Sequence, residues 1–313
     1  MAELVHALIA HLHYVKGMQQ QEIAAKLGVS KMMVSRTIQK AREDGLVQIK
    51  IGLPFRINES LARQMEERYN LRKAIVVKCN SPDRATIAET LGQVCAFYLG
   101  TFIANDSILG LGLGATIGQL IRYLIPMKST GIHVVQLIGG LMDVAYTNPF
   151  TIVQEACTKL NAEGTYVTYP AIVLDSDQRD SILVNTPGGK KMASMWKQCT
   201  WAIFGVGAIQ NGYLSPQLVT QKELKRLKEI GIVGDILGHC INKNGEFPST
   251  DLADRLVSIP LELLNKVPER IAVGGGIQKA HTLKALLTAG TVTTLFIDEN
   301  TAKKIVGDEL GST

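Results

Sequence analysis

The sequence predicts an α/β protein with a small N-terminal helix-turn-helix domain, winged-helix-like, and a larger Rossmann-like, doubly wound domain. Three observations support this fold class. Residues 19–42 contain two short amphipathic helices joined at a glycine, positive charge gathers near the N-terminus, and from residue 74 onward β-rich segments alternate with helical ones. The chain of 313 residues is long enough for both domains. The break at Gly52-Leu53-Pro54 places the boundary, so we predict domains at 1–53 and 54–313.

The segment Gln19–Arg42 has the pattern of a helix-turn-helix. Gly28 stands where the first helix must end and reverse, a position where glycine adopts positive φ at low cost, and Ser30 can cap the next helix. The buried face of that second helix is predicted to carry Val34, Thr37, Ile38 and Ala41. The outward face, which a recognition helix places in the major groove, carries Lys31, Met32, Ser35, Arg36, Gln39 and Lys40.

The charge distribution separates DNA binding from the alternative of an αα-hairpin packed in a core. Residues 1–56 hold eight basic and four acidic side chains, a net charge of +4 out of +5 for the whole chain. The remaining residues are nearly neutral, with 25 basic and 24 acidic groups. Such a concentration of positive charge is the footprint expected of contacts to DNA phosphates, and it favours double-stranded DNA as a partner.

The composition excludes several other classes. The five cysteines are widely spaced and form no C-x-x-C pair, so we expect no zinc ribbon and no disulfide framework. The low aromatic content of 5% argues against stacking on single-stranded nucleic acid. The N-terminus lacks the features of a signal peptide, and no apolar run approaches the roughly 20 residues of a membrane span. We therefore expect a cytoplasmic protein that makes no membrane contact.

Periodicity predicts the remaining elements. A first helix over residues 3–15 is expected to pack through Leu4, Leu8, Leu12 and Val15, Leu46–Ile51 predicts a short strand that could be a minimal wing, and Asn58–Asn70 predicts a charged helix that couples the domains or dimerises. The predicted strands of the larger domain are Ala74–Lys78, Ser107–Leu111, His133–Ile138, Tyr166–Tyr169, Trp201–Phe204, Asp235–Ile241, Arg270–Val273 and Thr293–Phe296. The predicted helices lie near 84–99, 115–124, 148–161, 217–230, 277–288 and 299–306.

Three glycine-rich turns follow apolar segments: Gly110–Thr116, Gly205–Gln210 and Gly274–Lys279. In an open α/β sheet such turns lie at the carboxyl ends of strands, where ligands bind. Glycine lets the backbone approach an anion, and the helix that follows offers free N–H groups. Thr116 adds a hydroxyl and Lys279 a charge, so the three turns together predict a phosphate-binding site, although each could also be only a tight turn.

Neither nucleotide nor nicotinamide binding is expected, and no cofactor is predicted. No turn fits G-x-x-x-x-G-K-[ST], and Gly110–Gly114 lacks the spacing of a dinucleotide fingerprint. Asp235 has two interpretations, a turn or cap carboxylate and an acceptor for a sugar hydroxyl. His239 is interpreted as a core or turn histidine.

With both halves analysed, nearly the whole chain resembles the SorC family of bacterial sugar-responsive transcriptional regulators. In the DNA-binding half the resemblance rests on Tyr14–Met18, Gln21–Ala24 through Val34-Ser35-Arg36, and Ala41–Val47. In the C-terminal half it rests on Gly112–Thr116, Gly139–Leu141, Gly234–Gly238, Val273–Gly276 with Lys279, and Leu295–Ala302.

The resemblance implies a dimeric or tetrameric regulator whose C-terminal domain is similar to sugar-phosphate isomerases and deaminases and binds a phosphorylated sugar. Gln21, Lys31, Met32 and Arg36 match positions that touch the operator. Gly114, Thr116 and Lys279 match phosphate contacts, Asp235 and Leu237 match sugar contacts, and Gly139–Leu141 matches the floor of the pocket. Some relatives hold an aldehyde sugar through a lysine after the third strand, where this chain has no lysine but has Asp143, a possible hydroxyl acceptor.

Two sets of candidate residues follow. The predicted DNA contacts are Gln21, Ser30, Lys31, Met32, Ser35, Arg36 and Lys40. The predicted effector contacts are Gly112, Gly114, Thr116, Gly139, Gly140, Leu141, Asp143, Gln210, Asp235, Leu237 and Lys279.

A sugar-phosphate isomerase or deaminase is the rival hypothesis, because the fold is shared. Deaminases of amino-sugar phosphates place Asp-Gly-His in the loop similar to Phe204–Pro216, where this chain has Gln210-Asn211-Gly212-Tyr213. Amides cannot act as a general base near neutral pH, which leaves only Asp235 or His239 for such a role. We therefore predict no catalytic residue and a transcriptional regulator of a carbohydrate catabolic operon, with a repressor favoured over an activator.

Overall fold

The computed structural model describes residues 2–47, 55–126, 129–140, 148–209 and 219–307. The chain divides into two compact units, Met1–Pro54 and Phe55–Thr313. The first unit holds the three helices α1 (Ala2–Tyr14), α2 (Gln20–Leu27) and α3 (Lys31–Glu43). Residues 48–54 lie outside the described residues, and with them most of the predicted strand Leu46–Ile51.

The helix-turn-helix forms as the local sequence predicts. Gly28 adopts the left-handed conformation at φ 66°, and its N–H donates to the carbonyl of Ala24. The Ser30 hydroxyl accepts a hydrogen bond from the Met33 N–H at 3.1 Å, which begins α3. The four residues predicted for the inner face of α3 are all buried: Val34, Thr37, Ile38 and Ala41.

The predicted packing stripe of α1 is wrong. Ile9 is buried against α2 and α3, and Ala10 is also buried, whereas Leu4 is 76% and Val15 67% exposed. Of the predicted stripe only Leu12 packs against this core. The helix is apolar on two faces, so periodicity alone could not tell which face meets the core.

The larger unit alternates strands and helices from end to end. Its strands are β1 (Arg56–Ile57), β2 (Lys73–Lys78), β3 (Ile108–Leu111), β4 (His133–Gln136), β5 (Glu163–Thr165), β6 (Trp201–Gly205), β7 (Gly207–Ala208), β8 (Ile232–Ile236), β9 (His239–Asn242), β10 (Glu269–Val273) and β11 (Thr294–Asp298). Its helices are α4 (Glu59–Tyr69), α5 (Arg84–Phe102), α6 (Ala115–Tyr123), α7 (Pro149–Leu160), α8 (Ser176–Asp180), α9 (Pro187–Gln198), α10 (Gln221–Glu229), α11 (Asp251–Asp254), α12 (Leu261–Leu264), α13 (Ala280–Thr288) and α14 (Glu299–Gly307).

Eight strands form one sheet in the order β1-β2-β11-β10-β6-β3-β4-β5. All neighbours run parallel except the edge strand β1, which pairs antiparallel with β2. Helices α5, α6 and α7 cover one face, and α4, α9, α12, α13 and α14 cover the other. The doubly wound α/β architecture predicted from the sequence is therefore confirmed. Within the described ranges, no helix has the length and apolarity to span a bilayer.

Three element predictions are wrong. The single strand predicted at Asp235–Ile241 is a hairpin, because Leu237 (φ 51°) and Gly238 (φ 84°) form a tight turn between β8 and β9. With β7 these strands make a separate antiparallel sheet. The strand expected at Tyr166–Tyr169 is absent there, since β5 ends at Thr165.

The third error is an omission between residues 170 and 200. Helix α8 continues into one π-helical segment, Ser181–Asn185, and then α9 packs on the sheet. The buried Trp196 of α9 donates its Nε1–H to the carbonyl of Gln136 at 2.8 Å, which attaches the helix to β4. Helical propensity is weak here because α9 begins with Pro187, Gly188 and Gly189. The helix therefore depends on its packing against the sheet, which the local sequence does not show.

Gly189→Ala should destabilise the larger unit by about 2 kcal/mol, because a Cβ at this position would overlap the carbonyl oxygen of Ile182. The neighbouring Gly188→Ala is the matched control: its Cβ would lie 3.4 Å from Val167 and gain helical propensity. Urea unfolding followed by tryptophan fluorescence tests both variants, since both tryptophans belong to this unit. Equal stability of the two variants would contradict the assigned packing of α9.

Candidate functional site

Helix α3 presents a cationic face. Lys31, Arg36 and Lys40 are exposed, and among residues 2–47 no acidic side chain pairs with any of them. The exposed surface also includes Gln21, Ser30, Met32 and Ser35, so every predicted DNA contact is exposed. A helix with this face can meet phosphates and base edges in a major groove.

A groove on this face also includes a residue that sequence reasoning missed. His6 of α1 lines it together with Arg36 and Lys40, and with Ser30, Met32, Met33 and Thr37. The only signal was a histidine on a helix expected to pack against the motif, and the wrong packing stripe hid it. Arg42, by contrast, donates its Nε–H to the Tyr14 hydroxyl and lies over its ring, so it holds α1 and α3 together.

The larger unit contains a small cleft at the carboxyl ends of its central strands. The cleft is lined by Arg84, Ile87, Ala88, Gly114, Ala115, Thr116, Gly205, Val206, Gly275 and Lys279. These residues come from the three predicted glycine-rich turns and from α5. The structure therefore brings together Gly114, Thr116 and Lys279, the three predicted phosphate contacts.

The start of α6 provides backbone donors at this cleft. Gly114 precedes the helix with φ 125°, and no side chain caps the first turn. The side chain of Thr116 is buried in that turn. The first turn of a helix lies at the positive end of the helix dipole, which favours an oxyanion nearby.

Asp298, at the end of β11, holds the third glycine-rich turn. Its Oδ2 accepts hydrogen bonds from the Gly276 N–H at 2.7 Å and the Thr301 hydroxyl at 2.6 Å. Its Oδ1 accepts from the Thr301 N–H at 3.1 Å, which begins α14. A Cβ at Gly275 would collide with this carboxylate, so glycine is required there for close approach. Asp298 is thus a positioning residue that the sequence analysis included in a motif without giving it a role.

The pKa values of Lys279 and Asp235 are shifted in opposite directions. Burial and the charge of Arg84 lower the pKa of Lys279 to about 8, although the negative charge of Asp235 acts in the opposite direction. Burial raises the pKa of Asp235 to about 6, against the stabilising effects of the Gly238 N–H and Lys279. The Gly238 N–H donates to Asp235 Oδ2 at 3.2 Å, while Oδ1 is buried and has no hydrogen-bond partner in the described structure. An unpartnered carboxylate oxygen can accept a ligand hydroxyl.

Four other predicted effector residues, Gly112, Gly139, Gly140 and Leu237, do not line the cleft and are engaged in packing or in backbone hydrogen bonds. A Cβ at Gly112 would lie 2.7 Å from Leu237 Cδ2, so these two positions are in close contact. The N–H groups of Gly139 and Gly140 donate to the carbonyls of Val257 and Tyr169. Their ligand contacts remain predictions. The remaining three, Leu141, Asp143 and Gln210, lie outside the described residues, as does Asn211. Within the described ranges, no cluster of metal-ligating side chains is present.

Asp235→Asn should raise the free energy of unfolding by about 1–2 kcal/mol at pH 7.5, because folding buries an ionised carboxylate there. The folded pKa of about 6 lies above the ordinary 3.8, so this group's contribution is fully present below pH 3.8 and is lost as the pH rises through 6. The advantage of the variant should therefore vanish near pH 4. Urea unfolding at both pH values tests this, with the exposed Asp177→Asn as control. A pH-independent difference would contradict the assignment.

Comparison with known proteins identifies the chain. Residues 54–307 match the family model described as a sugar-binding domain, and residues 12–44 match sigma-70 region 4. The deoxyribonucleoside regulator of Bacillus subtilis is 30% identical over 302 residues, which cover 96% of each protein. The sorbitol operon regulator of Klebsiella pneumoniae is 25% identical and covers 95% of this chain and 96% of the relative.

Solved structures share the fold. The full-length sorbitol operon regulator SorC from Klebsiella pneumoniae matches with a TM-score of 0.73 and 23% identity, over 96% of this chain and 97% of that one. A transcriptional regulator from Streptococcus pneumoniae TIGR4 matches with a TM-score of 0.75 and 23% identity, over 80% and 97%. These relatives are transcriptional regulators and not enzymes, and the chain itself belongs to the SorC family of sugar-binding transcriptional regulators.

Proposed function

We propose that this regulator binds a phosphorylated sugar in the cleft between α5, α6 and α13, and that the bound sugar controls binding of the N-terminal unit to operator DNA. The observation that carries the proposal is the convergence of Lys279, Arg84 and the N-terminal end of α6 on one cleft. No acidic side chain lines this cleft among the described residues. Each of these groups favours a bound anion.

The sugar part is inferred from two further observations. Asp235 offers a buried, unpartnered oxygen that is coupled electrostatically to Lys279. The relatives are named for deoxyribonucleosides, erythritol and sorbitol. Erythritol and sorbitol are polyols, and a deoxyribonucleoside contains a sugar. We infer that the regulated genes serve carbohydrate catabolism, that the protein acts in the cytoplasm, and that it is a repressor.

Regulation needs two arrangements of the protein with different affinities for DNA. A ligand shifts such an equilibrium only if it binds the two arrangements with different free energies. Thermodynamic linkage then requires that operator DNA weaken or strengthen sugar binding by the same factor. We propose that the bound sugar phosphate disfavours the DNA-binding arrangement.

We propose that the protein acts as a dimer or tetramer on an inverted repeat. Each unit exposes apolar side chains that association would cover: Leu4 and Leu8 on α1 with Val15 directly after it, and Phe97 and Phe102 on α5. A helix-turn-helix dimer contacts two half-sites about one turn of DNA apart. We propose 1–53 as the DNA-binding domain and 54–313 as the domain that binds the effector and associates.

Arg36→Ala should weaken operator binding by about 1–3 kcal/mol, roughly 5- to 160-fold, because it removes a forked cation from the centre of the α3 face. Lys26→Ala is the matched control, since it removes the same charge from an exposed position on α2. Fluorescence anisotropy with a labelled operator duplex measures both affinities and the number of chains bound per duplex. Equal losses in the two variants would mean that only net charge matters.

Lys279→Ala should weaken binding of phosphorylated sugars far more than binding of their unphosphorylated analogues. A thermal-shift screen of sugars and sugar phosphates identifies the ligand, because one present at about 100 times its dissociation constant stabilises the native state by about 2.7 kcal/mol. Lys266→Ala is the control, because this exposed lysine precedes the amino end of β10, whereas the turn with Lys279 follows the carboxyl end of that strand. If phosphorylated and unphosphorylated ligands lose affinity alike, Lys279 does not contact phosphate. Conversion of a ligand to product would revive the enzyme hypothesis.

A further inference from the structure

Arg84 is the first residue of α5, and its position is fixed by the cap before it. Asp83 Oδ1 accepts a hydrogen bond from the Thr86 N–H at 2.9 Å, and the Ser81 hydroxyl accepts one from the Asp83 N–H at 3.3 Å. The neighbouring carboxylate is therefore committed to the backbone of α5. The guanidinium remains exposed at the rim of the cleft that Lys279 also lines.

The two cations repel each other. The charge of Arg84 lowers the pKa of Lys279, which means that the structure does not neutralise the pair. Among the described residues no carboxylate lies within 4 Å of either group. Asp298 is occupied by the Gly276 and Thr301 groups, and Asp235 exerts only the smallest of the effects on Lys279.

An anion bound between these groups would relieve the repulsion. A monoanion can neutralise only one of the two cations, whereas a dianion matches both. The side chains also differ in geometry: Lys279 provides a compact charge inside the cleft, and Arg84 provides a planar fork that binds two oxygens at once. A phosphate monoester carries about −1.5 to −2 charges at pH 7, so it suits this pair.

We propose that Arg84 is a second cationic anchor of the cleft and makes it selective for a dianionic oxyanion over a monoanion. This inference rests on the anion-binding role proposed above for the cleft. It assigns the selectivity to a residue outside the glycine-rich turns and outside the predicted effector contacts. Arg84 therefore decides whether a phosphorylated ligand is distinguished from one that carries a single charge.

The test uses the full-length protein, with inorganic phosphate at pH 8 as the dianion and nitrate at matched ionic strength as the monoanion. The Lys279 resonance, assigned by its loss in Lys279→Gln, is followed by NMR after labelling of the lysines. Arg84→Gln should raise the pKa of Lys279 and weaken phosphate binding at least tenfold, with nitrate binding changed much less. Arg84→Lys should retain part of the phosphate affinity. Arg63→Gln, which removes an exposed arginine of α4, should change neither quantity.

The outcomes separate this inference from the proposed function. If wild type binds phosphate and Arg84→Gln binds it equally well, the anchor is overturned while the phosphate site stands. If neither protein binds phosphate, the proposed function fails, and the anchor fails with it even where the pKa of Lys279 responds to Arg84→Gln. Equal losses for nitrate and phosphate overturn the selectivity. Unfolding curves for Arg84→Lys and Arg63→Gln exclude loss of the fold as the cause.

Discussion

The cleft at the carboxyl ends of the central strands depends on the carboxylate of Asp298. This one group accepts hydrogen bonds from the turn after β10 and from the first turn of α14, so it joins two neighbouring strand ends. All three hydrogen bonds are buried, where the low local dielectric makes a hydrogen bond electrostatically stronger than in water. Lys279 follows directly after the turn that Asp298 holds. The backbone that leads to Lys279 is therefore held by the end of β11.

Lys279, which lines the cleft, and Asp235, which interacts electrostatically with Lys279, both cost the folded protein stability. Burial shifts the pKa of Asp235 upward and that of Lys279 downward, and each shift disfavours the charged form that the group has near pH 7. Folding therefore places two charges where water would solvate them better. Binding sites often retain such costs because a ligand removes them. An anion beside Lys279 and a hydroxyl beside Asp235 Oδ1 would each supply the missing partner.

The sequence correctly predicted the features that depend on neighbouring residues. The turn at Gly28 and the cap at Ser30 depend on neighbouring residues alone, and both formed as expected. The α/β alternation was equally clear, since strands buried on both faces read as continuous apolar segments. The predicted phosphate contacts Gly114, Thr116 and Lys279 were found together because carboxyl ends of adjacent parallel strands meet at one edge.

What could not be predicted depends on contacts between distant parts of the chain. Nothing in the sequence distinguishes Arg84 from the other arginines, and only the fold places it, at the start of α5, on the cleft. His6 lines the groove on α3 only because α1 packs through Ile9. The hairpin of β8 and β9 turns at Leu237, an apolar residue in a left-handed conformation that no turn rule selects. A Cβ at Gly112 approaches that leucine, so the strained turn is held by tertiary packing.

Perturbed pKa values of this kind are often taken as a sign of catalysis, yet they can also contribute to the response of a regulator to its effector. An effector can shift a conformational equilibrium only by the difference between its binding free energies to the two arrangements. A cleft that holds uncompensated charges changes its electrostatic energy sharply when a dianion enters, while an already neutralised cleft changes little. If the distance between Arg84 and Lys279 differs even slightly between the two arrangements, a doubly charged ligand binds them with clearly different free energies. The unpaired cations would then serve as the source of regulatory free energy, without any bond being made or broken.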